Sequence, residues 1–138
     1  MNGKGAVSPV IADIRSRMKR GKIVSIDEAM RVIRDGDTVS IDGFIGGLAP
    51  EELLIGLERR FLETGEPKNL TLIFAAGIGD SKDKGINHLA HEGLLQRVIA
   101  GHWGLVPKLQ RLALDGKIEA YNFPQGVITH LYRDIAGH

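Results

Sequence analysis

Apolar positions along this chain alternate between two rhythms, a spacing of three or four residues and short unbroken runs, and the alternation begins at Lys22. Ser25 and Glu28 match a capping box, in which a hydroxyl and a carboxylate each satisfy a free backbone N–H. Ile26, Ala29, Met30 and Ile33 then share one helical face, and Asp35-Gly36 stops the helix. Thr38 to Ile41 reads as a β-branched strand, followed by the glycine-rich turn Asp42 to Gly47. Pro50 suits the first turn of the next helix, whose apolar stripe is Leu53, Leu54, Leu57 and Phe61. After a loop from Gly65 to Asn69, Leu70 to Ala75 is almost wholly apolar, the pattern of a strand covered on both faces. A loop from Gly77 to Gly85 and a helix over Ile86 to Leu95 come next, then a third strand at Arg97 to Ala100. Pro107 opens a helix carrying Leu109, Leu112 and Ala113, which Asp115-Gly116 ends. Ile118 to Tyr121 is the fourth strand, and Pro124 opens a last helix with Val127, Ile128 and Leu131 inward.

Alternating strands and helices predict an α/β fold, a mostly parallel sheet with helices on both faces and right-handed crossovers. Residues 1–21 read as an N-terminal extension: Met1 to Pro9 is small and polar, and Val10 to Arg20 is expected to form a short basic helix ended by Gly21. Residues 22–138 make up the domain. A chain of 138 residues is one domain by length, and 43% hydrophobic with 25% charged residues is ordinary globular composition. The net charge of +1 offers no electrostatic case for nucleic acid or an anionic membrane as partner. With no cysteine, disulfides, thiolate metal sites and a cysteine nucleophile are excluded, and a reducing, cytoplasmic setting is expected. No apolar run approaches the ~20 residues of a membrane helix.

Ligands of open α/β sheets collect at the carboxyl ends of the strands, and each glycine-rich turn here follows a strand: Gly43, Phe44, Gly46 and Gly47 after the first, Gly77 and Gly79 after the second, Gly101 and Gly104 after the third. Any one of these turns by itself reads as a tight bend; their convergence on one edge points to a binding site. Gly77-Ile-Gly79 is not a dinucleotide fingerprint, because the third glycine is missing and Asp80, Lys82, Asp83 and Lys84 follow instead of a helix start. There is no P-loop. His88 and His91 stand three apart with Glu92 adjacent, which is either a metal pair or polar residues at a helix surface or domain interface, and no metal is expected. His102 is either a general base or a hydrogen-bonded group fixing its loop. Gln125, at a helix start beside Gly126, either stabilises a developing oxyanion together with unpaired N–H groups or caps the helix.

Several longer words carry a resemblance: Asp35-Gly-Asp-Thr-Val39, Phe61-Leu-Glu-Thr-Gly-Glu-Pro-Lys-Asn69, Ala90-His-Glu-Gly-Leu-Leu95, Ala100-Gly-His-Trp-Gly104, Glu119-Ala-Tyr-Asn-Phe-Pro-Gln-Gly126 and His130-Leu-Tyr-Arg-Asp-Ile-Ala136. In this order they resemble the N-terminal part of the propionate and acetate CoA-transferases, over residues 22 to 138. The resemblance implies the α/β domain shared by these enzymes and sugar-phosphate isomerases, here incomplete. It implies transfer of coenzyme A from an acyl-CoA to a small carboxylate through a glutamyl-CoA thioester, with coenzyme A as substrate and no separate cofactor. Gln125 would help form the oxyanion site, and Asp42 to Gly47 would line the acyl and carboxylate pocket. The family's nucleophilic glutamate lies in a second α/β domain beyond position 138, so the chain is expected to be a fragment, inactive by itself. It would be completed by the C-terminal half or a partner subunit, and is expected to form an oligomer. The competing reading is a non-catalytic module of the same fold that binds acyl-CoA or carboxylate.

Overall fold

The computed structural model describes residue 21 and residues 23–137; the expected extension over residues 1–21 lies outside them but for Gly21. Helix α1 (Ile26–Met30) opens with the predicted capping box: Glu28 N–H donates to Ser25 Oγ at 3.2 Å, and Ser25 N–H donates to Glu28 Oε2 at 3.0 Å. Strand β1 (Thr38–Ser40) follows, then helix α2 (Glu51–Thr64), which ends where Gly65 takes a left-handed φ of 72°. Next come β2 (Leu70–Phe74), a 3-10 turn at Ile86–Leu89, β3 (Leu95–Ala100), α3 (Pro107–Leu114), β4 (Glu119–Asn122) and α4 (Gln125–Gly137). All three strand pairings are parallel and the sheet order is β1-β2-β3-β4. Thus the α/β architecture with a parallel sheet is as predicted.

The main core lies on one face of the sheet. Leu72, Phe74, Val98 and Ala100, all without solvent exposure, meet Leu54 and Leu57 of α2, Ile86 and Leu89 of the 3-10 turn, and Leu109 of α3. Each such leucine or phenylalanine contributes about 1.5–3 kcal/mol by leaving water. Helix α1 packs over Gly56, where a Cβ would stand closer than 3.0 Å to Ile26 Cγ2. Among the described residues the opposite face is covered by α4, through Ile128 and Tyr132 on Ile73, Ala75 and Ile99. All four β4 residues are exposed, and Tyr121 and Phe123 stack on each other in solvent with ring centroids 6.3 Å apart.

Three local expectations are corrected. The helix predicted over Ile86 to Leu95 is a single 3-10 turn. Ala90 leaves the helical region at ψ 59°, Gly93 takes a φ of 91°, and Leu95 is already paired in β3. Burial of Leu94 and Leu95 against the sheet overrides the local helical spacing. Leu53 is exposed, because the buried side of α2 carries Leu54, Gly56 and Leu57 instead. In α4 only Ile128 is fully buried; Leu131 is partly covered and Val127 is half-exposed, the helix having no lateral neighbour among the described residues.

Candidate functional site at the strand carboxyl edge

A parallel sheet brings every strand exit to one edge, and backbone contacts join the four exits here. Ile45 N–H, in the turn after β1, donates to Gly77 O at 2.8 Å after β2. Gly101 N–H, after β3, donates to Phe74 O at 3.0 Å, and Phe123 N–H, after β4, donates to Ala100 O at 3.0 Å. The predicted turns therefore form one continuous rim.

Glycine is required where these turns touch. A Cβ on Gly77 would stand closer than 3.0 Å to His102 Nδ1, and one on Gly104 would stand 2.9 Å from His102 Cε1. The His102 ring thus rests against two glycines. It is exposed and makes no hydrogen bond among the described residues. Gly43 packs against Leu48 O and Ile78 Cδ1, and Gly79 packs against Leu105 O. Around Gly46, Gly47 and Gly126 there is open space, and Phe44 projects at 58% exposure.

Gly101 brings β3 and α4 together: a Cβ there would stand closer than 3.0 Å to Ala75 O and 3.2 Å from Gln125 Cα. The first residues of α4 consequently lie flush with the ends of β2 and β3. The helix closes its first turn through Val127 N–H to Pro124 O at 2.8 Å, so the amides of Gln125 and Gly126 precede the first intrahelical bond. The Gln125 side chain is exposed and makes no hydrogen bond to the helix among the described residues. Among the described residues its amide has no partner.

His88 and His91 lie behind this rim. His88 Nδ1 is 2.5 Å from Glu58 Oε2 and its Nε2 is 3.0 Å from Glu51 Oε1, while His91 Nε2 is 2.8 Å from Glu58 Oε1. The histidines therefore pair with carboxylates of α2 and bind the 3-10 turn to that helix. Glu92 and Glu119 take Lys117 and Arg97 as partners, away from the rim. No group of three or more His, Cys, Asp or Glu suited to a metal ion occurs among the described residues. Burial by itself would raise the Glu58 carboxyl, but hydrogen bonds with His91 and His88 outweigh it and hold Glu58 below the ordinary value of 4.5. A carboxyl depressed by folding stabilises the fold above its unfolded pKa, and that stability is lost as pH falls through the folded value. Thermal unfolding scans should show stability falling below about pH 4.5, with a smaller loss in Glu58→Gln; an unchanged acid slope in that variant would contradict this role.

Sequence reasoning missed Glu51, Glu58 and Asn87. The first two had no visible partner in sequence. Asn87 is the sole buried polar side chain among the described residues, 1% exposed, and sits unannounced between Ile86 and Leu89. A cavity lined by Arg31, Arg59 and Arg60 lies along the later turns of α2, but Arg59 pairs with Asp27 and Arg60 donates to Ile33 O at 2.8 Å. Those two guanidiniums join α1 to α2.

A coenzyme A transferase family model matches residues 23–136. The chain belongs to this family. Acetate CoA-transferase YdiF of Escherichia coli K12 is 41% identical over 120 residues, which are 86% of this chain and 23% of that protein. A caffeate CoA-transferase of Acetobacterium woodii is 38% identical over 117 residues, 83% of this chain and 22% of its own length. The crystal structure of the E. coli O157:H7 YdiF thioester complex with CoA superimposes with a TM-score of 0.79 at 41% identity, covering 83% of this chain and 24% of that one. The chain therefore spans under a quarter of the length of these relatives. Among its described residues, no helix is long and apolar enough to cross a membrane.

Proposed function

We propose that this chain supplies the N-terminal part of a transferase that moves coenzyme A between a short-chain acyl-CoA and a carboxylate of the propionate and acetate class. The observation that carries this reading is the exposed amide of Gln125 at the start of α4, unbonded among the described residues and held against the strand exits by Gly101 in a member of this family. A glutamate from outside residues 1–138 attacks the thioester carbonyl, and the carbonyl electrons move onto oxygen. Donors at Gln125, with the adjoining Gly126 amide, stabilise that oxyanion. CoA leaves as thiolate and an acyl-glutamyl anhydride remains. The thiolate then attacks the glutamyl carbonyl, releases the acyl group as carboxylate and gives the glutamyl-CoA thioester, which the acceptor carboxylate reopens by the reverse sequence. Gly43, Phe44, Gly46, Gly47, Gly77, Gly79, Gly101 and His102 line the substrate side of the rim. Coenzyme A is substrate, and the reaction needs no resident cofactor. In this reading residues 1–21 precede the transferase domain, which begins at residue 22, and the protein works in the cytoplasm.

The sheet face that α4 covers thinly among the described residues favours a partner. β4 is exposed throughout and the Tyr121–Phe123 stack is partly exposed, a surface suited to the remaining transferase half, a partner subunit or a second copy. The deciding experiment is propionyl-CoA to acetate transfer, by this chain and by its mixture with the C-terminal portion of such a transferase, with sedimentation of both samples. Turnover confined to a sedimenting complex is expected. Turnover by the chain in isolation would overturn the assignment of the nucleophile to another segment. Acyl-CoA binding without turnover in an assembled complex would favour a binding module.

A further inference from the structure

We propose that Asn87 and Glu51 are positioning residues that set the spacing of the three glycine turns, a role that rests on reading the strand carboxyl edge as the transfer site. Asn87 is buried and all of its nearby partners are backbone groups of the second and third turns or of α3. Its Nδ2 donates to Lys84 O at 2.9 Å and to Leu105 O at 3.1 Å, and its Oδ1 accepts from Lys108 N–H at 3.3 Å. Lys84 closes the loop after β2, Leu105 lies in the loop after β3, and Lys108 is in the first turn of α3. Leu105 O also accepts from Ser81 N–H at 3.1 Å. Gly79 is pressed onto this junction, since a Cβ there would stand closer than 3.0 Å to Leu105 O and 3.1 Å from Asn87 Nδ2. One buried amide thus fastens the second turn to the third.

Glu51 fastens the first. It is the opening residue of α2, directly after the loop that carries Gly43 to Gly47. Its Oε2 accepts from Gly85 N–H at 2.9 Å and its Oε1 faces His88 Nε2 at 3.0 Å. Gly85 bridges back to Gly79, and His88 is chain neighbour to Asn87. The route from turn to turn is short and made of directional bonds, several of them shielded from water. Loosening it shifts the rim without removing any group that meets substrate.

Amide hydrogen exchange on the full chain tests this independently of catalysis. Asn87→Asp keeps size and the acceptor for Lys108 but sets a carboxylate oxygen against two carbonyls. It should cut protection at Ser81 about tenfold or more while Leu72 and Val98 in the sheet hold theirs. Glu51→Ala, at a partly exposed site that tolerates truncation, should do the same at Gly85, and Glu51→Gln, which still offers Gly85 an oxygen, should restore it. In the complex with the C-terminal portion, Asn87→Asp should lower kcat with little change in KM for propionyl-CoA. Unchanged exchange at Ser81 and Gly85 would overturn the inference, as would equal loosening of the sheet amides, which marks a merely structural role. Local loosening with no transfer by the wild-type complex would sustain the positioning of the turns and reject the edge as the transfer site.

Discussion

Gln125→Ala is expected to lower kcat for CoA transfer by about 100- to 1,000-fold in the assembled enzyme, the loss typical of one oxyanion donor. The reason is geometric. Attack on a thioester concentrates charge on the former carbonyl oxygen, and a donor already fixed where that charge develops need not reorganise. Gln125 meets this condition because its backbone is held between Gly101 and the first turn of α4 while its amide stays unbonded among the described residues. Stability should hardly change, since the side chain is exposed. Comparing kcat and thermal unfolding in the same variant separates the two effects. A wild-type kcat in Gln125→Ala would remove Gln125 from the transition state.

Gly101→Ala is expected to damage stability and activity together. Its added methyl meets Ala75 O, a backbone atom in the sheet exit that has no rotamer into which to retreat, and lies 3.2 Å from Gln125 Cα. Overpacking of this kind costs about 1–3 kcal/mol. The strain is relieved most readily by moving α4, because among the described residues that helix is held by a small core around Ile128. A shift near 1 Å at Gln125 can cost roughly 100-fold in rate. Denaturant unfolding and kcat on Gly101→Ala check both parts. Gly46→Ala is the contrast, since open space surrounds that position and its φ is outside the left-handed region; it should leave stability within about 0.5 kcal/mol of wild type. If both substitutions behaved alike, close approach at Gly101 would not be the cause.

Much of this was legible in the chain. Ser25 and Glu28 announced a helix start that the structure builds bond for bond, because a capping box is satisfied within four residues. The run from Leu70 to Ala75 announced a strand covered on both faces, because such burial leaves little room for polar positions, and the structure forms it over Leu70–Phe74. The long words around Gly101, Gln125 and Arg133 pointed to the transferase family to which the chain belongs. The helix expected over Ile86 to Leu95 failed where local spacing competed with sheet pairing at Leu95, and pairing prevailed.

By itself, then, the sequence determined what depends on neighbours along the chain: helix caps, strand positions, the order of alternating elements and the glycines that follow strands. Only the tertiary structure decided what depends on residues far apart in sequence. Parallel crossovers carry Ile45 to Gly77 and Gly101 to Gln125, so four separate turns become one rim. They also give His88 its two carboxylates from α2 and bury Asn87 between two loops and a helix start. A buried amide is stable only when distant backbone groups satisfy it, and no local pattern specifies which groups those will be.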